Sequence, residues 1–225
     1  IAGIGGLCGA GRSELLKAIF GLRARTTGSV TLRGKPLPAD PQQCWQLGVG
    51  LCAEDRKQEG LSLRLSIAVN VVLPRLLPLR WHGLLRWQRA TEIAQRLGER
   101  VSLRCHSPRQ AVQELSGGNQ QKVAFARLLH AGCEVLLLDE PTRGIDVGSR
   151  QEVYHLLDEL ARAGAAVLVV SSQLPELLGL CDRIAVMRRG ELGPFRPTGE
   201  WTQESLLHEM LRATSGEAMA EGVSA

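Results

Sequence analysis

The feature that most constrains the fold is a glycine loop set between two regular elements. "IAGI" reads as a short apolar strand, and the glycine-rich stretch "GLCGAGRSE", Gly6 to Glu14, follows almost at once. "SELLKAIFGL" then places Leu15, Leu16, Ile19 and Phe20 on one helical face, with Gly21 as the stop. Gly6 and Gly11 satisfy G-x-x-x-x-G, with Gly9 and Ala10 between them. Glycines let backbone N–H groups converge on phosphate oxygens, and the following helix directs its positive end at the same place. Ser13 stands at the Mg²⁺-ligand position of that motif, and Arg12 stands where its lysine belongs. Because the lysine is the specific part, the same residues also suit a plain strand-to-helix turn.

The rest of the chain continues this alternation. "GSVTLRGK" and "LGVGLCAED" read as strands, the first half-exposed and the second apolar. From about residue 55 to 128 apolar residues recur at helical spacing, as in "RWQRATEIAQRLGERV". Then "CEVLLLDEPT" reads as a buried strand ending in carboxylates. "SRQEVYHLLDELARAG" is an amphipathic helix with Val153, Leu156, Leu157 and Leu160 inward. "AAVLVVSS" is a buried strand, "LPELLGLC" a short helix and "DRIAVMRRGEL" a strand and turn. Strands alternating with helices predict an α/β fold with a mostly parallel sheet. The expected organisation is a core from residues 1–54 and 129–195, with a helical subdomain at 55–128. A C-terminal helix at 196–214 and a disordered tail at 215–225 complete it.

Composition excludes some functions. The 225 residues carry a net charge of +4 with no block of basic residues, so nothing points to nucleic acid. The six cysteines form no C-x-x-C pair and read as reduced thiols of a cytosolic protein. No apolar run reaches the roughly 18 residues of a membrane span. A chain that opens inside a core strand is expected to be part of a longer one.

Two further motifs carry chemistry. Asp139 and Glu140 end an apolar strand, where open α/β sheets gather their ligands. Asp139 suits a hydrated Mg²⁺ and Glu140 the polarisation of an attacking water, although acidic turn residues would read the same way. Ser116, Gly117 and Gly118 in "LSGGNQQK" set a hydroxyl and two glycines at a helix start, which is a second anion seat or a capped helix.

"LSGGNQQK" followed by "LLLDEPTRGIDVGSR" resembles the signature, Walker B and D-loop of an ABC transporter ATPase, a P-loop NTPase. With "GLCGAGRSEL", "AEDRKQEGL" and "SSQLPELLGLCDRIAVM", the chain is most similar to one class of that family. That class is the second nucleotide-binding half of the tandem ATPases of bacterial monosaccharide importers.

The resemblance implies two halves packed head to tail with Mg-ATP at each interface, on the cytoplasmic face of the inner membrane. It implies a sheet flanked by helices with an inserted helical subdomain, its N-terminal antiparallel strands lying upstream. The upstream sequence would also hold the adenine-stacking aromatic residue, so this chain alone is expected to bind ATP poorly. Leu115, Ser116, Gly117, Gly118 and Asn119 would face ATP held by the N-terminal half, and Asp146 would lie at the interface. Integral permease subunits and, indirectly, a periplasmic sugar-binding protein would be further partners. Glu59 to Asn70 is the expected permease contact, with Trp81 and Trp87 either exposed anchors or helix-core residues. The sequence departs from the family pattern at Arg12, at Glu54 for the Q-loop glutamine, at Ser172 for the switch histidine and, more mildly, at Glu14. Glu54 and Glu14 should repel phosphates. The resemblance therefore implies a degenerate ATP site here and a signature that completes the partner's. A nucleotide-regulated dimerisation module that does not hydrolyse, or a soluble ABC ATPase unconnected with transport, are the alternatives.

Overall fold

Five parallel strands end on one edge of a single sheet, and that edge carries the site. The computed structural model describes residues 1–82 and 84–212. Its strands are β1 (Ala2–Gly5), β2 (Thr31–Leu32), β3 (Lys35–Pro36), β4 (Val49–Cys52), β5 (Arg80–Trp81), β6 (Leu84–Leu85), β7 (Val135–Asp139), β8 (Ala166–Ser171), β9 (Arg183–Arg188), β10 (Glu191–Leu192) and β11 (Arg196–Pro197). Its α-helices are α1 (Arg12–Phe20), α2 (Pro41–Gln46), α3 (Ile67–Val72), α4 (Trp87–Arg100), α5 (Gly117–Ala131), α6 (Val147–Arg162), α7 (Leu174–Leu180) and α8 (Gln203–Leu211). The main sheet runs β10-β9-β1-β8-β7-β4, with β11 also on β9. β9, β1, β8, β7 and β4 are mutually parallel, and β10 and β11 are antiparallel additions at the β9 side.

Side chains alternate across these strands and fill two layers. Ile4, Leu137 and Val170 pack with Leu16 and Phe20 of α1 and Cys44 of α2. Leu136, Leu138, Val169 and Ile184 face the opposite way, onto a larger core that includes Val71, Ala94, Phe125, Leu157 and Leu177. The four apolar positions expected on the inner face of α6 are all buried. Gly21 ends α1 in the left-handed conformation, φ 87°, as its position predicts.

The structure differs from expectation in two places. The stretch after residue 55 is not all helix, since β5 and β6 form a small antiparallel hairpin. The C-terminal helix begins only at Gln203. Residues 196–200 form β11 and a 3₁₀ turn, and Thr202 caps α8 through a reciprocal bond with Ser205. The tail expected from residue 215 lies outside the described residues.

Candidate functional site

Parallel register explains why distant residues meet. Gly5 pairs with Ser171, Asp139 with Val170 and Cys52 with Leu138, so the carboxyl ends of β1, β8, β7 and β4 lie side by side. The residues that follow each strand line one cleft of about 460 Å³: the loop from Cys8 to Glu14, Glu54, Glu140 with Arg143, and Ser172 with Gln173.

The loop is shaped by backbone that other residues would not tolerate. Gly9 and Gly11 have φ of 79° and 101°. A Cβ on Gly6 would sit 2.5 Å from the Met187 carbonyl oxygen. Gly11 precedes α1 with no side-chain cap, so the first N–H groups of the helix open into the cleft.

Arg12 does not extend over the loop. It is 8% exposed, and its Nη2 lies 3.1 Å from Glu140 Oε1. The same Oε1 accepts the Ser172 backbone N–H at 2.7 Å, and the Glu140 backbone N–H donates to Val170 O at 2.9 Å. Glu140 holds φ of 46°, an uncommon conformation for a residue with a side chain. Nη1 of Arg12 is buried with no hydrogen-bond partner. Beside it, Asp139 is buried and bonded to Ser13, while its Oδ1 has no partner. Burial is the main force pushing the Asp139 carboxyl up, to about 6; the Ser13 bond pulls the other way and Glu140 adds to the rise.

Glu54 is paired with Arg143, so its charge in the cleft is offset rather than left to repel an anion. Glu14 stays exposed at the rim, 4.0 Å from Arg23. The lining residues thus present two arginines against three glutamates.

The structure gathers Gly6, Gly9, Ala10, Gly11, Arg12, Ser13, Glu14, Glu54, Asp139, Glu140 and Ser172 at one sheet edge, with Asp139 beneath the cleft. It does not bring Leu115 to Asn119 or Asp146 into that cleft. Ser116 caps α5, accepting from the Asn119 backbone, and the Asn119 side chain reaches back to Ser116 and to the Arg104 N–H. Asp146 caps α6 through Ser149, and these bonds hold its carboxyl below the usual range. The two caps touch: a Cβ on Gly118 would lie 2.6 Å from Ser149 Oγ, and one on Gly117 3.0 Å from Gly144 O. The signature segment and the segment from Gly144 to Ser149 therefore form one packed unit.

The family described as "ABC transporter" matches residues 1–143. The chain belongs to the ABC transporter family. It is 44% identical over 218 residues to the ribose import ATP-binding protein RbsA of Lactococcus lactis subsp. cremoris, covering 96% of this chain and 44% of that protein. It is 42% identical over 217 residues to RbsA of Bacillus subtilis, covering 96% and 43%. The chain thus spans less than half the length of these relatives. A dimeric ATP-binding cassette in a post-hydrolysis state with ADP and phosphate superimposes with a TM-score of 0.74 at 24% identity, over 88% of this chain and 85% of that one. A nucleotide-free ATP-binding cassette from an ABC transporter gives 0.77 at 19% identity, over 95% and 88%. These likenesses show the fold, a P-loop NTPase of the ABC-ATPase type.

Sequence reading missed Arg143, three residues past Glu140, and Gln173, which follows the switch position. It also missed the buried pairing of Glu176 with Ser171 (2.5 Å) and Thr142 (2.7 Å), behind the switch segment. Glu176 is 2% exposed, and burial pushes its carboxyl up. A buried glutamate in "SSQLPE" had no signal beyond its charge in an otherwise apolar helix.

Proposed function

We propose that this chain is one ATP-binding half of an ABC importer that couples ATP binding and hydrolysis to uptake of a monosaccharide or similar small polyol. In this reading its own site is degenerate, and its signature segment completes the catalytic site of a second, N-terminal half. The RbsA relatives support the importer class, and one observation carries the degenerate site: the Arg12–Glu140 ion pair.

A carboxylate serves as a general base only if its lone pairs can reach the attacking water. Oε1 of Glu140 is engaged by Arg12 and by the Ser172 N–H, Oε2 accepts the Ser171 hydroxyl at 3.5 Å, and the group is 5% exposed. Ser172 offers a backbone donor there and no imidazole.

Mg-ATP nonetheless fits the residues present. Arg12 Nη1 and Asp139 Oδ1 are both buried and unpartnered, one a donor suited to a phosphate oxygen and the other an acceptor suited to a hydrated cation. Ser13 and Asp139 would hold Mg²⁺, and the loop N–H groups with Arg12 would hold the phosphates. Mg²⁺ would supply charge neutralisation of the phosphates, which the net-negative lining needs. The chain's own contribution is to bind and orient while keeping Glu140 from activating water.

Ser116, Gly117 and Gly118, at the capped start of α5, are the part assigned to the partner's site, with Asp146 next to them at the interface. Permease subunits would dock on the helical segment, at the inner membrane's cytoplasmic face. Within the expected contact at residues 59–70, Glu59, Arg64 and Leu65 are the exposed positions, while Leu61, Ile67, Ala68 and Asn70 are buried.

Glu140→Gln in the intact tandem protein, set beside the equivalent change in the first half, tests the reading. This change should leave most ATP turnover in place, and the first-half change should abolish it. Loss of turnover in Glu140→Gln with retention in the other variant would reverse the assignment.

A further inference from the structure

A second concentration of chemistry lies outside the nucleotide cleft. Arg86, Arg89 and Arg96 line a cavity of about 620 Å³, with Pro78 and Ile93 as apolar lining and Glu92 as the carboxylate. None of the three arginines makes an ion pair among the described residues. Arg89, Glu92, Ile93 and Arg96 recur at helical spacing, so this face of α4 carries two arginines and one glutamate. The first turn of α4 holds no acidic residue, and Arg86 at its cap position makes no side-chain cap bond. Arg86 and Arg89 thus place positive charge where the helix dipole disfavours it.

This basic cavity has an apolar border. Trp81 and Leu84 stand opposite each other in the hairpin, hence on one face of it, and are 58% and 71% exposed. Arg86 joins the two regions, its guanidinium 5.6 Å from the centre of the Trp81 ring. Leu77 and Trp87, either side in sequence, are also exposed. Both tryptophans therefore stand on the surface and not in a helix core. Exposed apolar residues scattered singly need no explanation, but several gathered beside unpaired arginines mark a surface that meets something amphipathic and anionic.

We propose that this face, β5–β6 with the start of α4, seats on an anionic phospholipid surface. Guanidinium forks match phosphate oxygens, and indole rings favour the headgroup layer. The apolar border is what separates a lipid from a free phosphate, which has no use for Trp81 and Leu84.

The test is sedimentation of the purified protein with vesicles of phosphatidylglycerol and phosphatidylcholine, beside vesicles of phosphatidylcholine alone. Binding should require phosphatidylglycerol and fall with added salt. Arg86→Glu with Arg89→Glu should weaken it at least tenfold, since each arginine near an anionic surface is worth about fivefold. Arg86→Lys with Arg89→Lys should keep most of it. Trp81→Ser with Leu84→Ser should also weaken binding, with helix content unchanged by circular dichroism. Equal binding to both vesicle types, binding to neither, or full binding by the charge-reversed protein would overturn the proposal. So would release by millimolar inorganic phosphate at constant ionic strength, which would put a soluble anion in the cavity. Dependence of permease assembly on Trp81 and Leu84 in lipid-free detergent would make the face a protein contact and overturn it too.

Discussion

Separating Arg12 from Glu140 should expose how strongly the pair is coupled. The groups are 9% and 4% exposed as side chains and 3.1 Å apart. At an effective dielectric near 20, charges at that distance attract by about 5 kcal/mol. Desolvating two ions costs several kcal/mol each, so the intact pair contributes little net stability. Removing one partner is different, because the other charge is left buried. Arg12→Met and Glu140→Gln should each destabilise by about 3 kcal/mol. The double variant should lose much less than the sum, leaving a coupling energy of about 2–3 kcal/mol. Urea unfolding of the four proteins at pH 7.5 in EDTA, followed by circular dichroism, reads this directly. A coupling energy below about 0.5 kcal/mol would mean that the two side chains do not hold each other in solution. Glu140 would then not be masked by Arg12.

Two further outcomes follow from the same geometry. Asp139 has its folded pKa raised to about 6, so its charged form is disfavoured in the folded protein. The wild type should lose stability relative to Asp139→Asn as pH rises from about 4 to 6. The variant's advantage should reach at most about 3 kcal/mol at pH 8 and vanish near pH 4, measured in EDTA; a constant difference across that range would be wrong for this origin. Gly118→Ala should cost about 1–3 kcal/mol, because its Cβ would press on Ser149. Ser149→Gly in the same chain should restore most of that loss in thermal unfolding, and failure to do so would place the strain elsewhere.

Much of the architecture was legible because it repeats a local rule. The glycine spacing of the loop, the apolar face of α6 and the runs of β7 and β8 each announce their element within a few residues. Their shared edge also follows, since parallel strands deliver their carboxyl ends to one side. What was hidden depends on side-chain direction and on contacts across long separations. Arg12 and Glu140 are each recognisable, but nothing in their local sequence says that the arginine turns towards the carboxylate. Glu54 read as a repelling charge because its partner Arg143 comes from a distant turn. The β5–β6 hairpin escaped because two-residue strands carry no periodicity. In residues 59–70, Leu61, Ile67 and Ala68 belong to the core while Leu65 is exposed, a division that the apolar pattern alone does not reveal.

In the proposed function, this chain's signature segment serves a site whose phosphate loop lies on another half. Ser116→Asp tests it with little damage to the fold, because aspartate caps a helix as well as serine does. The side chain would place a negative charge at the open start of α5, where the γ-phosphate held by the partner is assigned. The measurement is the steady-state ATPase rate of the intact tandem protein carrying this change. The rate should fall at least tenfold with an unchanged melting temperature. A wild-type rate would contradict it.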